Sequence, residues 1–314
     1  MITMVGTDGK VTELSGVSDM PASLSGTIII ESATRPELKR LADAYALNYG
    51  NLCDALDINE APRLEHRDDY DYLYLRLPNI SNSHDVIQPT RPLLAIYNRH
   101  VLLLIASSKF TPIFPSKSFA SDLADMPSVS DRLVYFLAHV IDSFGYHIKI
   151  QTDAIHNVVV KMQARKLENE DFVSFVMIEE QINSFTSALT PLIPLFNRLQ
   201  ADRSLHLSAA TNDMLVDIIL ATQQSISICD ANAKRITSIR DAYTTLSNDS
   251  LNRIMKTLTI ATVLIAAPNL IFSMYGMNIR LPLQHEDVSF IVVIVLAITM
   301  LALFIIWGKR RHLF

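Results

Sequence analysis

The chain has 314 residues, 49% of them hydrophobic, with a mean hydropathy of +0.24 and a net charge of −5. The mildly acidic balance disfavours a nucleic-acid partner, and two cysteines, Cys53 and Cys229, do not build a disulfide framework. The charge is unevenly divided: residues 250–314 hold six Lys/Arg against two Asp/Glu, so the rest of the chain carries −9, which either concentrates cations or serves solubility.

The opening MITMVGTDGKVTELSG lacks the basic-then-apolar order of a secretory signal, so the stretch ahead of the first apolar segment is expected in the cytoplasm. TIIIES (27–32), YLYLRLP (72–78) and LLAIYNRHVLLLIAS (93–107) are β-branched or aromatic runs that predict strands, the last turning at Asn98-Arg99. PELKRLADAYAL (36–47), with Thr34 near its start and Pro36 in its first turn, predicts a helix. From about Ser128 the pattern changes. Residues 128–168 read as one long helix, with Leu133, Phe136, Leu137, Val140, Ile141 and Phe144 at three- and four-residue spacing. A second helix over roughly 171–189 ends near Pro191 and Pro194 and is expected to pair antiparallel with the first. A third pattern starts near Ser208 and meets no breaker until Pro268. It reads as a single helix running from cytoplasm into membrane, and the polar run ATQQSISICDANAKRITS (221–238) suggests a face lining a wide, wet passage.

Val288–Trp307 is uncharged and matches the roughly 20 residues that cross a bilayer core. Leu258–Met274 is a second, more polar candidate. Positive charge flanks the spans on one side only: Arg253 and Lys256 before the first, Lys309, Arg310 and Arg311 after the second. Both termini are therefore expected inside, with a short external loop. Along the first span Asn252, Met255, Thr259, Thr262, Ala266, Asn269, Ser273 and Gly276 recur at alternating spacings of three and four, one stripe on a supercoiled helix. Polar groups in a bilayer face protein or water, so the stripe marks either close helix packing or a pore lining. Two spans cannot enclose a pore, but a ring of identical chains can. No Asp, Glu, His or Lys lies within 258–274, so such a lining suits a cation that keeps its water shell, as Mg2+ does.

Tyr275-Gly276-Met277-Asn278 at the end of the first of two C-terminal spans, followed by a basic tail, resembles the CorA family of magnesium channels, and the likeness extends through NRIMKTLTIATVLIAAPNLIFSMYGMN (252–278). DINEAPRLEHRDDYDYLYLRLP (57–78) resembles the strand-and-helix region of that family's cytoplasmic domain. The resemblance implies a homopentameric funnel: an α/β domain (1–127), an antiparallel long-helix pair (128–204), a stalk helix continuing as the first span (205–274), an external loop (275–287), a second span (288–307) and a basic tail (308–314). It implies a passive channel in the inner membrane for hydrated divalent cations, chiefly Mg2+ with Co2+ and Ni2+. By resemblance, Tyr275, Gly276, Met277 and Asn278 form the selectivity filter, with Gly276 letting backbone approach the axis and Asn278 bonding the ion's water shell. Met255 and Leu258 match a hydrophobic constriction, Asn252 a polar ring, and Lys309, Arg310 and Arg311 a basic collar. Intracellular Mg2+ is expected to close the channel through Asp217, Asp213 and Asp85. The chain departs from the family where Ala267-Pro268-Asn269 replaces the usual Pro-Leu-Thr, where Ser273 replaces a small Gly, and where Glu286 and Asp287 stand in for the usual external acidic residue.

No HExxH, CxxC, GxSxG or P-loop occurs, and the chain is not expected to be an enzyme. His139, His147 and His156 lack ligand spacing, and Glu179-Glu180 reads as a solvated helix face. Two other functions fit the same layout: a CorA-related zinc transporter, proton-coupled or not, and a membrane-anchored scaffold that moves no ions.

Overall fold

The computed structural model describes residues 2–6, 10–21, 23–79, 89–109, 116–164, 169–277 and 289–310. By contact the chain divides into two units, Met1–Ser238 and Ile239–Phe314.

In the first unit β1 (Ile2–Val5), β2 (Val11–Leu14), β3 (Gly26–Ile30), β4 (Arg63–Arg67), β5 (Tyr70–Pro78), β6 (Thr90–Tyr97) and β7 (Val101–Ala106) form one sheet, ordered β2-β1-β3-β7-β6-β5-β4. β3 and β7 run parallel; the other neighbours are antiparallel. Every residue of β3 and β7 is buried, as expected of strands covered on both faces. Alternation then assigns the faces. Ile28, Ile30, Tyr72, Tyr74, Leu94, Ile96, Leu103 and Ile105 pack with Leu38, Leu41 and Leu52 of α1 (Arg35–Tyr45) and α2 (Tyr49–Asp54). Leu73, Leu75, Leu93, Leu102 and Leu104 point the other way, under α4 (Val129–Gln163) and α5 (Asn169–Leu189).

The predicted strands at 27–32, 72–78 and 93–107 are β3, β5 and the β6–β7 hairpin, and the predicted helix at 36–47 is α1, whose Thr34 amide donates to Glu37 Oε2 at 2.9 Å across the first turn. Gly26 enters β3 at φ +80°, and a Cβ there would meet the Val5 carbonyl oxygen at 2.4 Å, so the close approach of β3 to β1 requires glycine. At the opposite edge, Arg63 of β4 pairs with Asp54, Glu60 and Glu65 and lies 3.8 Å over the Tyr74 ring. The half-buried Arg76 guanidinium, its pKa lowered by desolvation, donates to Thr90 Oγ1 at 2.7 Å and to the Glu60 carbonyl at 2.7 Å.

After α3 (Ser116–Ala124), α4 and α5 lie antiparallel, since Lys161 near the end of α4 meets Asp171 near the start of α5 while Phe144 stacks edge-on against Phe185. The chain does not stop being helical at the prolines. α6 (Leu192–Ala201) follows at once, with Pro191 as its N-cap and Pro194 in its first turn, where a missing N–H costs nothing.

Then α7 runs unbroken from Ala209 to Tyr275, 67 residues, and α8 covers Ser289–Arg310. Within the first unit Thr211, Leu215, Ile218, Thr222, Ser225, Cys229, Asn232 and Ile236 form a buried line along α7, with Ile219 buried beside it. Their spacings alternate four and three, a heptad seam. Asn232 Nδ2 donates to Thr152 Oγ1 of α4 at 2.8 Å, and the Thr222 hydroxyl satisfies itself on the Ile218 carbonyl at 2.7 Å. Within 221–238, Thr222, Ser225 and Asn232 thus belong to a closed but polar seam, whereas Gln223, Gln224, Ser227 and Lys234 are exposed.

Candidate functional site

The start of α7 is fastened by a buried carboxylate. Ser128 caps α4, accepting from the Asp131 amide at 3.1 Å, while its hydroxyl donates to Asp131 Oδ2 at 2.6 Å. Asp131, 9% exposed, also accepts a short bond from the Thr211 hydroxyl in the first turn of α7. Thr211 in turn donates its amide to Ser208 Oγ at 3.1 Å. Nearby, the Ser130 hydroxyl donates to the Leu205 carbonyl at 2.6 Å. One carboxylate thus serves two helix N-termini, where negative charge is favoured by the helix dipoles.

The second unit contains the helical segments long and apolar enough to span a bilayer: the C-terminal part of α7 and Phe290–Arg310. They touch through Ile271 of α7 and Val293 and Ala297 of α8. At about 100° per residue, Thr262, Met255, Asn269 and Ser273 lie roughly 160–180° round the helix from Ile271, Leu258, Ala266 and Gly276 about 140°, and Thr259 and Asn252 about 120° and 100°. All nine are exposed on the single chain. The stripe therefore takes no part in packing against α8. Met255 and Leu258 are each 59% exposed, a large apolar surface for a position without a partner. The Thr259 hydroxyl donates to the Met255 carbonyl at 2.8 Å and the Thr262 hydroxyl to the Leu258 carbonyl at 2.9 Å. With their protons engaged, both hydroxyls offer lone pairs outward, acceptors for the hydrogens of a cation's water shell.

Tyr275 ends α7; the Gly276 amide closes the last turn on the Phe272 carbonyl at 3.0 Å. A Cβ at Gly276 would meet, among the described residues, only the Phe272 and Ser273 carbonyl oxygens at 3.5 Å, an ordinary contact that does not demand glycine. Met277 is exposed; Asn278, Glu286, Asp287, Arg311 and Asp85 lie outside the described residues. Lys309 and Arg310 are exposed on the last turn of α8. Asp213 and Asp217 are exposed one turn apart at the start of α7, and among the described residues no three His, Cys, Asp or Glu side chains group as metal ligands. Sequence reasoning missed the Asp131 clamp, although Ser128-x-x-Asp131 and Ser208-x-x-Thr211 carry cap-like spacing.

An α/β unit under a heptad-packed helix that continues as the first of two spans defines a membrane-embedded protein whose polar span face is left free by its own chain. The model of the CorA-like Mg2+ transporter protein family matches residues 28–311, and the chain belongs to that family. It is a family of transporters, not enzymes. The chain is 24% identical over 286 residues to the cobalt/magnesium transport protein CorA of Methanocaldococcus jannaschii, covering 87% of this chain and 86% of that one. Its fold is similar to the complete structure of the CorA magnesium transporter from the same organism, with TM-score 0.82 and 21% identity over 99% of this chain and 98% of that chain. It is similar as well to the full-length CmaX protein, with TM-score 0.72 and 15% identity over 99% and 96%. The resemblance read from Tyr275–Asn278 and the α/β-plus-two-span architecture is thereby borne out.

Proposed function

We propose that the protein is a passive channel through which hydrated divalent cations, chiefly Mg2+ and with it Co2+ and Ni2+, cross the inner membrane, formed by a homopentamer around the polar stripe of α7. The observation that carries this reading is the position of the stripe opposite the Ile271 contact: its small and polar groups are left for a neighbouring copy and for water. Two charges crossing about 100 mV release roughly 4.6 kcal/mol, so no nucleotide-driven step is required. Met255 and Leu258 form the narrow apolar ring that closes by dewetting, and Asn252 the polar ring beneath it. Tyr275, Gly276, Met277 and Asn278 form the outer mouth, Glu286 and Asp287 gather cations around it, and Lys309, Arg310 and Arg311 circle the inner exit. Both termini lie in the cytoplasm. Purified protein in liposomes tests the reading: Mg2+ entry driven by an inside-negative potential supports it, and no entry of any divalent ion contradicts it.

Asn278 is the mouth's ligand to the ion's water shell. Asn278→Ala is expected to slow Mg2+ uptake at least about tenfold, through loss of hydrogen bonds to a charged, hydrated ion, while the oligomer still elutes as in the parent protein. Unchanged uptake would remove the assignment.

Intracellular Mg2+ holds the channel shut by bridging Asp217, with Asp213, to a carboxylate of the adjacent copy; Asp85 is the candidate partner. Two carboxylates from one chain are too few for a cation that takes six oxygens, which is why the site needs the neighbour or retained water. Asp217→Ala is expected to weaken protection of the soluble unit from protease by millimolar Mg2+. Full protection in the variant would exclude that residue.

A further inference from the structure

Burial shows how α7 and α8 run together. Around Ile271 the half-buried positions of α7 are Ile260, Leu264, Ala267 and Pro268; beyond Val293 and Ala297, those of α8 include Leu301 and Phe304, and Gly308 is buried. At about 100° per residue all of these lie within about 60° of the α7–α8 contact, so the two helices stay side by side to their inner ends. At the outer end Gly276 and Phe290 line one crevice, so the pair is antiparallel and depths can be matched. Lys256 is fifteen residues inward of Ile271, and Arg310 is fifteen beyond the midpoint of Val293 and Ala297. Both therefore lie about 22 Å inward of the contact. The same arithmetic gives the sides. Lys256 is turned about 60° from the contact on α7, Trp307 about 60° and Arg310 about 120° on α8, all toward one flank of the pair, whereas Lys309 is turned about 140° toward the other. Lys256, Lys309 and Arg310 are exposed.

Two cations from different helices thus share one depth and one flank, with an indole just above them. Trp307 is 53% exposed, its ring 6.1 Å from that of Phe304, and it stands about 4.5 Å nearer the bilayer centre than Arg310. Indoles favour the boundary between headgroups and chains, which places the two cations at headgroup level. No Asp or Glu stands in the sequence between Asp249 and the external loop, or in α8, so this end of the pair is net positive. Arg253, the next basic residue inward, pairs with Asp249 at 3.6 Å. We propose that this flank holds the headgroup of an anionic phospholipid, its phosphate between Lys256 and Arg310 and its glycerol against Trp307. A free anion would use the cations but not the indole; a phospholipid uses all three. Guanidinium and ammonium both donate to phosphate oxygens, and charge-assisted bonds of this kind are the strong ones. The bound lipid would fasten the inner end of α7, the helix that carries the polar stripe, to α8.

Trp307 is the single tryptophan of the chain, so its fluorescence reports this flank alone. The full-length protein is placed in phosphatidylcholine vesicles with a rising share of phosphatidylglycerol brominated near the headgroup end of its chains, since bromine quenches an indole on contact. Brominated phosphatidylcholine is the reference. The lipid beside Trp307 is expected to be phosphatidylglycerol with a preference of about tenfold. Arg310→Gln should lower this to about twofold, one basic group at a membrane surface contributing about a factor of five, and Lys256→Gln with Arg310→Gln should bring it near parity. Lys309→Gln removes the same charge at nearly the same depth on the other flank and should leave the preference close to that of the parent. Parity in the parent protein would overturn the proposal. So would equal losses in Lys309→Gln and Arg310→Gln, which would mean general surface charge, or loss of the preference in excess inorganic phosphate, which would mean a site for a free anion. Quenching by neither lipid would overturn it together with the placement of α8 in the bilayer. Quenching is read without ion flow, so parity leaves the channel reading standing, and a protein that moves no ions can still prefer phosphatidylglycerol here.

Discussion

Asn269→Leu is expected to reduce Mg2+ uptake in liposomes by about 100-fold or more, with the protein still folded and inserted. Asn269 is exposed and lies about 160° round α7 from Ile271, the residue that meets α8, so leucine adds no clash within the chain. Between copies the change is severe. A ring of amides that bonds the ion's water is replaced by a ring of isobutyl groups, and the ion would need to shed water it holds tightly. A rise of about 2.7 kcal/mol in the barrier already gives that factor. Asn269→Ser, which keeps a polar group of smaller size, should retain most of the flux. Full uptake by Asn269→Leu would place the stripe against protein, the packing alternative that the spacing alone leaves open. The control is Ile271→Asp, which strikes the α7–α8 contact and should lower the amount of inserted protein instead.

The second large effect concerns stability. Asp131→Ala is expected to cost about 3 kcal/mol, because the buried Thr211 hydroxyl is left without its charged acceptor and the exposed Ser128 hydroxyl at the cap of α4 loses its acceptor as well. For a soluble unit of this size that corresponds to a drop in melting temperature of roughly 6 °C or more. Asp131→Asn keeps one acceptor oxygen and should lose about half as much. Near-ultraviolet circular dichroism of the full-length protein in detergent reads both. A melting temperature unchanged in Asp131→Ala would mean that the starts of α4 and α7 are held by Ser130–Leu205 and apolar packing alone.

Much of this architecture is written in local pattern. β3, β6 and β7 are covered on both faces, so they appear as continuous apolar runs, and Asn98 marks the turn between the last two by accepting from the amides of His100 and Val101. α1 announces itself through Thr34 and Pro36, and α7 through the lack of any breaker. Other elements exist because of partners distant in sequence. β4 reads RLEHR, with no apolar alternation, and is a strand because β5 pairs with it and Arg63 finds three carboxylates. β2 is an exposed edge strand with equally little pattern. α6 was hidden behind Pro191 and Pro194, residues that end one helix and open the next with equal ease. The seam of α7 carried the right period in the wrong residue types: Thr222, Ser225 and Asn232 are polar, yet their spacing matches Leu215, Ile218 and Ile236, and partners such as Thr152 become visible only in three dimensions. The span stripe is the converse case, legible as a period but not as a face, until Ile271 fixes which side meets α8.

The most direct measurement is Mg2+ entry into liposomes holding the purified protein, with a Mg2+-sensitive dye inside, an imposed inside-negative potential and equal pH on both sides. Entry that grows with the potential and needs no proton gradient is the expected result. Entry that ignores the potential and appears only with a pH gradient, or a preference for Zn2+ under the same conditions, would contradict a passive path for hydrated magnesium.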